Sequence, residues 1–290
     1  MKLIKANYEI YAASFNKDLP YNYDGNNLIE IAGRTCYKSE EKIADGTADK
    51  FVKMIEERGH NAMIEHSWEL RFYDQIVPYC KFLNFMQIDN GVFVAGNKRA
   101  FKEWDYKYYK DYYVLVDEHV SAIYENKRWD MLSATVKIIT DRGVTHEIVR
   151  HRLASYAQES TRFCNYSKAK FDGHVTFIIP PWVNIPEGKY DLTNYNEYNK
   201  KEEEIWFKAM LDNEQDYNFL ISRGWSPQQA RSVLPNSLKT EIIVTADLQE
   251  WIHIFNLRAL GKAGTPHPQM LEIMKPLYKD FQKLFPEVFI

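Results

Sequence analysis

Residues 240–261, TEIIVTADLQEWIHIFNLRALG, contain the signals that decide the fold class. The first six residues, TEIIVT, form a short apolar run and predict a strand. Asp247 is then placed as the N-cap of a helix, with Glu250 three residues later, and Gly261 is placed to end that helix. A strand that passes directly into a capped helix predicts a fold that contains both kinds of element.

The same signals recur elsewhere in the chain. Thr47 is placed as an N-cap and Gly59 as a helix end, while Ser226, Pro227 and Gln229 form a capping box with Pro235 as a stop. Helices are predicted at 27–37, 47–58, 201–222 and from about 265 to 284, and strands at 68–73 and 134–140. Because these elements do not alternate in a βαβ rhythm, the sequence predicts an α+β fold with a mixed or antiparallel sheet packed with helices.

The region before the C-terminal third is harder to assign. We expect a turn at 141–143, a short helix through VTHEIVRHR, residues 144–152, and then a loop. Residues 98–130 are charged and rich in tyrosine, and they predict a helical, peripheral segment.

Length and composition exclude several classes of protein. The chain has 290 residues, of which 45% are hydrophobic and 27% charged, as expected for a globular protein. A net charge of −3 argues against a general nucleic-acid binder. The three cysteines are far apart, so we expect no zinc site and a reducing, cytoplasmic location. The polar start and the lack of a long apolar run predict no signal peptide and no membrane span.

The stretch VRHRLASYAQESTRF, residues 149–163, concentrates cationic, amide and hydroxyl groups in an otherwise slightly acidic chain. Arginine offers a planar set of donors suited to phosphate or carboxylate, and an amide is suited to the edge of a uracil or a flavin. The simpler alternative is a solvated basic helix end that the helix dipole stabilises. The polar residues at fixed offsets on a loop favour a binding site.

Two further groups of residues are candidates for a site. Gln249, His253 and Asn256 form a polar stripe on an otherwise apolar helix, with Arg258 near its apolar side. Polar groups beside a buried face need partners, which a ligand or a subunit interface supplies equally well. GHNAMIEH, residues 59–66, lacks the HExxH spacing of a metalloprotease and predicts a loop that orients a ligand rather than a metal site. No Rossmann, P-loop or GxSxG motif is present.

These segments together resemble the flavin-dependent thymidylate synthases. The family's signature is Arg-His-Arg, seven residues and then Ser, which Arg150, His151, Arg152 and Ser160 match without a gap. GHNAMIEH is similar to the family's upstream GHxTPFEH block, and ARSVLP and FNLR are similar to downstream blocks in the same order. The resemblance runs from about residue 32 to the last helix and implies one domain over 1–290, with an insertion at 98–130.

The resemblance implies an enzyme that converts dUMP to dTMP on FAD. Methylenetetrahydrofolate would supply the carbon and NADPH the electrons, in a homotetramer whose subunits share active sites. The implied catalytic residue is Arg258, which would lie against the uracil. The implied dUMP contacts are Glu147, Arg150, Gln158, Glu159, Ser160, Thr161, Arg162, Arg231 and Arg258. The implied FAD contacts are His60, Glu65, Arg150, His151, Arg152, Gln158, Asp247, Leu248, Gln249 and His253.

Three positions depart from the family pattern. Ala62 stands where a threonine is common, Cys36 stands where a serine is common, and the segment around His267 is longer than usual. Ser160 is available as a nucleophile, but no base in the motif is placed to activate it, so we expect it to bind ligand. The rivals are a flavoprotein that acts on another pyrimidine and an RNA-binding protein that uses the tyrosines of 98–130 for stacking.

Overall fold

The computed structural model describes residues 1–14, 19, 25–74, 77–108, 120–191 and 200–290. The strands in these ranges are β1 (Lys2–Ile4), β2 (Asn7–Ala13), β3 (Trp68–Tyr73), β4 (Asn84–Ile88), β5 (Gly91–Asn97), β6 (Ser133–Asp141), β7 (Ser155–Gln158), β8 (Thr176–Ile178), β9 (Gly188–Lys189) and β10 (Lys239–Asp247). The α-helices are α1 (Gly25–Tyr37), α2 (Ala48–Glu57), α3 (Lys98–Tyr108), α4 (Val120–Glu125), α5 (Arg142–Ile148), α6 (Lys201–Ser222), α7 (Pro227–Ala230), α8 (Leu248–Arg258) and α9 (Pro268–Leu284). Short 3₁₀ turns lie between them.

The strands form three sheets. The central sheet has the order β2-β6-β10-β7 and is antiparallel throughout, with β6 and β10 paired over nine positions. A second sheet, β8-β1-β9, contains one parallel pair, and the third, β3-β5-β4, is antiparallel. The predicted α+β fold with a mixed or antiparallel sheet is therefore confirmed.

The two faces of the central sheet bury different helices. Alternate β10 residues, Ile242 and Val244, pack in the main core with Trp251 and Phe281, which α8 and α9 contribute. Ile243, between them, faces the opposite side and packs against α1. Residues on both faces of β10 are almost fully buried. This burial explains why the strand is a continuous apolar run in the sequence, the pattern from which it is predicted.

Most of the predicted boundaries are confirmed. The helix predicted at 201–222 is α6, and Gln229 Oε1 accepts a hydrogen bond from Ser226 N at 2.9 Å, as in a capping box. Gly59 follows α2 with φ +70°, a conformation that glycine adopts without strain. Thr47 stands at the N-cap of α2 but forms no side-chain cap; its hydroxyl is within donating distance of Ala44 O and Glu30 Oε2 instead, and its one hydrogen serves one of them at a time.

Three expectations need correction. Asp141 is the N-cap of α5, so 141–143 begins that helix instead of forming a separate turn, and α5 ends at Ile148, four residues earlier than predicted. Residues 155–158, expected to be loop, are β7. The segment 98–130 is helical at α3 and α4 but not wholly peripheral, since Phe101 and Trp104 are buried in a core of their own with β5. Its middle, 109–119, lies outside the described residues.

Among the helices in the described ranges, none combines the length and the apolar character that a bilayer crossing requires.

Candidate active site

The candidate site is built on the two helices that follow the central strand pair. α5 follows β6 directly, and Asp141 Oδ1 accepts a hydrogen bond from Val144 N at 2.9 Å. α8 follows β10 directly, and Asp247 Oδ1 accepts one from Glu250 N at 2.7 Å. Each cap satisfies a backbone donor that the first helical turn leaves free, so both helices begin at fixed positions relative to the sheet.

Arg258, in the last turn of α8, reaches the end of α5. Its Nη1 donates to Glu147 Oε2 at 2.7 Å, its Nη2 to Glu147 O at 3.2 Å, and its Nε to His151 Nε2 at 3.1 Å. The guanidinium is thus held on two sides, while about a fifth of the side chain stays exposed. The structure therefore brings together Glu147, His151 and Arg258, which the sequence predicts as site residues from two distant segments.

His151 is enclosed, although its two neighbouring arginines are not. The His151 side chain is 3% exposed; its Nε2 accepts from Arg258, and its Nδ1 lies 3.6 Å from Glu250 Oε1. Arg150 and Arg152 are exposed, and neither guanidinium has a hydrogen-bond partner among the residues that the structure describes. The structure leaves two of the three signature side chains free for an anion and commits the third to Arg258.

The loop after β7 carries the hydroxyl and cationic residues of the motif. Ser160 N donates to Cys36 O at 2.9 Å, which fixes the loop to the end of α1. Arg231 Nη1 donates to Thr161 Oγ1 at 2.9 Å, and the exposed Arg162 lies over the Phe163 ring at 5.4 Å. Thr161, Arg162 and Arg231 are therefore close together, as the sequence predicts.

Arg142 belongs to the same cationic group but was not predicted from the sequence. Its Nη1 lies 3.5 Å from Glu159 O, and burial, together with the nearby charge of Arg231, lowers its pKa. The sequence does contain a signal that Arg142 needs a partner from elsewhere. The residues three and four positions later in α5 are Thr145 and His146, so no acid is placed to form a helical ion pair with it. Two arginines thus converge on one loop.

Two predicted dUMP contacts make other interactions. The Glu159 side chain is 1% exposed, and its carboxylate accepts hydrogen bonds from Lys239 Nζ at 2.9 Å and Tyr166 OH at 3.0 Å. Only the main chain of Glu159 is left to face a ligand. Gln158 Nε2 donates to Thr145 Oγ1 at 2.9 Å and Thr240 Oγ1 at 3.1 Å, so its amide oxygen is the group that remains for one.

The segment 59–66 lies against the same region. Glu65 Oε2 accepts a hydrogen bond from Ser155 Oγ at 3.1 Å, which joins this segment to β7, while Glu65 Oε1 pairs with Arg99. His60 is exposed at the start of a 3₁₀ turn. His66 is fully buried, with its pKa lowered to about 4 by burial, and is a neutral core histidine. Within the described ranges, no three His, Cys, Asp or Glu residues are grouped as metal ligands.

The predicted polar residues of α8 differ in exposure. Gln249 and His253 are exposed. The His253 ring lies 5.4 Å from the His151 ring, so His253 borders the Arg258 group. Leu248 is fully buried in the main core, and any cofactor contact it makes must come from its main chain. The stripe therefore offers two exposed polar side chains beside Asp247, and its third residue, Asn256, is half-buried.

The three departures from the family pattern have separate environments. Ala62 is exposed, and Cys36 supplies the carbonyl that holds Ser160 N. Burial raises the pKa of the Cys36 thiol to about 11, so the thiol stays protonated near neutral pH. His267 packs against Trp182, with ring centroids 5.8 Å apart.

Replacing Asp247 with Asn is expected to stabilise the protein at alkaline pH. Burial raises the pKa of Asp247 to about 7, so the folded chain holds this proton more tightly than the unfolded chain. Stability from this group is therefore greatest below about pH 4 and declines as the pH rises to about 7. Asn also caps helices well, so urea unfolding at pH 8.5 should show a gain of about 1–3 kcal/mol, and a smaller gain at pH 5. A variant less stable than the parent at pH 8.5 would contradict this assignment.

Known proteins are similar to this chain in sequence. Residues 110–287 match the family described as thymidylate synthase complementing protein. The flavin-dependent thymidylate synthase of Pyrococcus furiosus is 37% identical over 122 residues, which are 42% of this chain and 44% of that protein. This chain thus spans less than half the length of that relative. The enzyme of the same name from Corynebacterium diphtheriae is 26% identical over 273 residues, with 89% of this chain and 80% of that protein covered.

A similar solved structure is that of the UMP/dUMP methylase PolB from Streptomyces cacaoi, bound with 5-Br dUMP. The TM-score is 0.48 at 16% identity, with 100% of this chain and 95% of that chain covered. The family match extends over more than half of the chain and includes the Arg-His-Arg signature, Ser160, Arg231 and Arg258. The chain therefore belongs to the flavin-dependent thymidylate synthase family.

Proposed function

We propose that the protein is a methyltransferase that converts dUMP to dTMP. The observation that carries this proposal is the geometry of Arg258. Glu147 and His151 hold its guanidinium at the end of α5. Family membership and the names of the relatives support the same activity.

In this reaction Arg258 stabilises negative charge on the uracil ring. A guanidinium stays protonated at any working pH, so it acts by favouring the ionised ring and not by removing a proton. The ionised ring carries delocalised negative charge, which makes the carbon that is methylated more nucleophilic than it is in the neutral ring. No enzyme nucleophile is required, and Ser160 Oγ accepts a hydrogen bond from Arg162 N at 3.3 Å, which orients the hydroxyl within the loop.

The loop after β7 binds the nucleotide phosphate in this proposal. Arg162 and Arg231 present guanidinium groups beside Ser160 and Thr161, and Arg142 adds a third from α5. Arginine donors match phosphate oxygens in pairs, and a phosphate dianion would compensate the desolvated charge of Arg142.

The donor set beside the Arg258 group fits FAD. Arg150 and Arg152 are exposed and without a side-chain partner in the described part of the chain, which suits the two charges of a diphosphate. Gln249, His253, His60 and Glu65 supply polar contacts around them. When bound, FAD would supply the hydride that reduces the transferred carbon. The chain's own residues hold it and orient the uracil next to it.

Several finer features belong to the same proposal. Methylenetetrahydrofolate is the carbon donor and NADPH the reductant. The protein is a homotetramer with shared sites, supported by the exposed apolar side chains of Val149, Leu153 and Phe163 on the signature segment. Residues 1–290 are one domain with an insertion at 98–130, supported by the packing of Met86, Phe93 and Ile123 in the main core. Three free cysteines support a cytoplasmic location.

Replacing Arg162 with Ala is expected to raise the KM for dUMP about 10- to 100-fold and to change kcat less than about threefold, because a charge-assisted phosphate contact is lost. Steady-state assays of dTMP formation measure both constants. Arg223→Ala is a matched control, since Arg223 is also exposed and lies over a neighbouring phenylalanine, at 5.2 Å. Equal KM values for Arg162→Ala and the parent would remove Arg162 from the phosphate site.

The choice of pyrimidine separates this function from its rivals. Parallel assays with dUMP, UMP and dCMP should give product from dUMP. Methylation of UMP or dCMP in preference to dUMP would indicate another nucleotide-modifying enzyme. Salt-dependent binding of RNA without bound flavin would indicate the RNA-binding protein.

A further inference from the structure

Glu250 is a buried carboxylate that the reaction as described does not use. Its side chain is 7% exposed on the first turn of α8, and its Oε1 lies 3.6 Å from His151 Nδ1. In the sequence its only apparent role is at the helix cap, where its backbone N–H bonds to Asp247. A buried carboxylate needs a partner, and within the described part of the chain the His151 imidazole is the donor group that faces Glu250.

The contact between His151 and Arg258 determines which nitrogen carries the imidazole proton. Arginine has donors and no acceptor, so His151 Nε2 must accept the hydrogen bond from Arg258 Nε, which is 3.1 Å long. A neutral imidazole that accepts at Nε2 carries its proton on Nδ1. Nδ1 is the nitrogen that faces Glu250, and a carboxylate there stabilises this tautomer.

We infer that Glu250 is a positioning residue, which holds His151 in the Nδ1–H tautomer so that Nε2 keeps the Arg258 guanidinium in place for the uracil. This role rests on the proposed function of Arg258. The contacts then form a continuous chain of side chains, from Glu250 to His151, to Arg258 and to Glu147. These four side chains join α8 to α5 and to the signature segment.

The surroundings of His151 make this arrangement sensitive to pH. A doubly protonated imidazole has no acceptor and would repel Arg258, so acidification should release the guanidinium and lower turnover. The charged or titratable groups that face His151 are Glu250, His253 and Arg258 from α8, Glu147 from α5 through Arg258, and Tyr156 from β7, whose hydroxyl donates to His151 O. Of these, the carboxylate of Glu250 is the anion that faces the ring itself.

The test is Glu250→Gln in the FAD-loaded enzyme. The amide keeps the shape but loses the charge, so both neutral tautomers of His151 become accessible. We expect kcat to fall about 10-fold or more, and the KM for dUMP to change less than about threefold. The acid limb of the kcat profile should move to lower pH, because the anion that faces the imidazole is gone.

Glu30→Gln is the matched control. Glu30 is also a buried carboxylate, 1% exposed, and pairs with an arginine, Arg34 Nε, at 2.7 Å, but it lies on α1. It should reproduce any general loss of stability and leave the acid limb where it is. A role of Glu250 in stability alone would lower kcat without moving that limb, which would overturn the inference.

A second measurement does not depend on activity. The ¹⁵N chemical shifts of histidine-labelled protein, assigned to His151 with His151→Gln, distinguish Nδ1–H from Nε2–H. The parent protein should show Nδ1–H, and Glu250→Gln should show a mixture. Nε2–H in the parent, or an unchanged tautomer in Glu250→Gln, would contradict the inference. Absence of dTMP formation by the parent would instead contradict the proposed function.

Discussion

Turnover of Arg258→Met is expected to be about 10²- to 10³-fold lower than that of the parent, with the bound FAD retained. Methionine fills much of the same volume but provides no charge for the ionised uracil, and the loss of one preorganised group of this kind costs about this factor. Single-turnover measurement of flavin oxidation with dUMP and methylenetetrahydrofolate isolates the step.

Arg258→Lys is the informative companion variant. Lysine keeps the charge, but one ammonium does not reproduce three hydrogen bonds to Glu147 Oε2, Glu147 O and His151 Nε2. Its loss should be smaller than that of Arg258→Met, at roughly 10-fold. Equal turnover of the methionine variant and the parent would remove Arg258 from the chemistry.

Lys239→Met is expected to lower the free energy of unfolding by about 3 kcal/mol. Lys239 joins the two buried carboxylates beneath the nucleotide loop: Glu159, at 2.9 Å, and Glu241, by a short ion pair. Without the lysine, the Tyr166 hydroxyl is the one donor left to the Glu159 carboxylate among the described residues. The carboxylate must then be buried as an unpaired charge or take up a proton. Urea unfolding at pH 7.5 measures the loss.

Two further variants test this explanation. Lys137 also pairs with Glu241, at 2.6 Å, but does not contact Glu159, so Lys137→Met should cost about 1 kcal/mol or less, since Lys38 and Lys239 still compensate Glu241. The double variant Lys239→Met, Glu159→Gln removes the uncompensated charge and should recover much of the stability. Failure of the double variant to recover any stability would show that the loss does not come from Glu159.

Local signals predict the capped elements well. The caps at Asp247 and Ser226, the helix α6 and the strands β6 and β10 each have their cause within a few residues of sequence. The paired caps also explain why Glu147, His151 and Arg258 meet, because they fix the start of α5 and of α8 on adjacent strands. The other site residues are predicted from the family resemblance, that is, from motif blocks that occur in the same order as in the family.

Elements that depend on distant pairing were not predicted. β7 is only four residues long and polar, and it is a strand because β10 provides its partner. The hairpin of β4 and β5 and the strand β2 were likewise not predicted. Glu159 illustrates the same limit at the site: its neighbours suggest a ligand contact, whereas its partner Lys239 lies 80 residues away in the chain. Arg142 was not predicted because the residues beside it, Glu159 and Arg231, are distant from it in the sequence.

The most direct test of the central claim is the visible absorption spectrum of the purified chain, recorded before and after anaerobic addition of NADPH, with and without dUMP. We predict a flavin spectrum that NADPH bleaches, and a rate or extent of bleaching that dUMP changes because the nucleotide lies beside the flavin. A protein that stays colourless after incubation with FAD would contradict the proposed function.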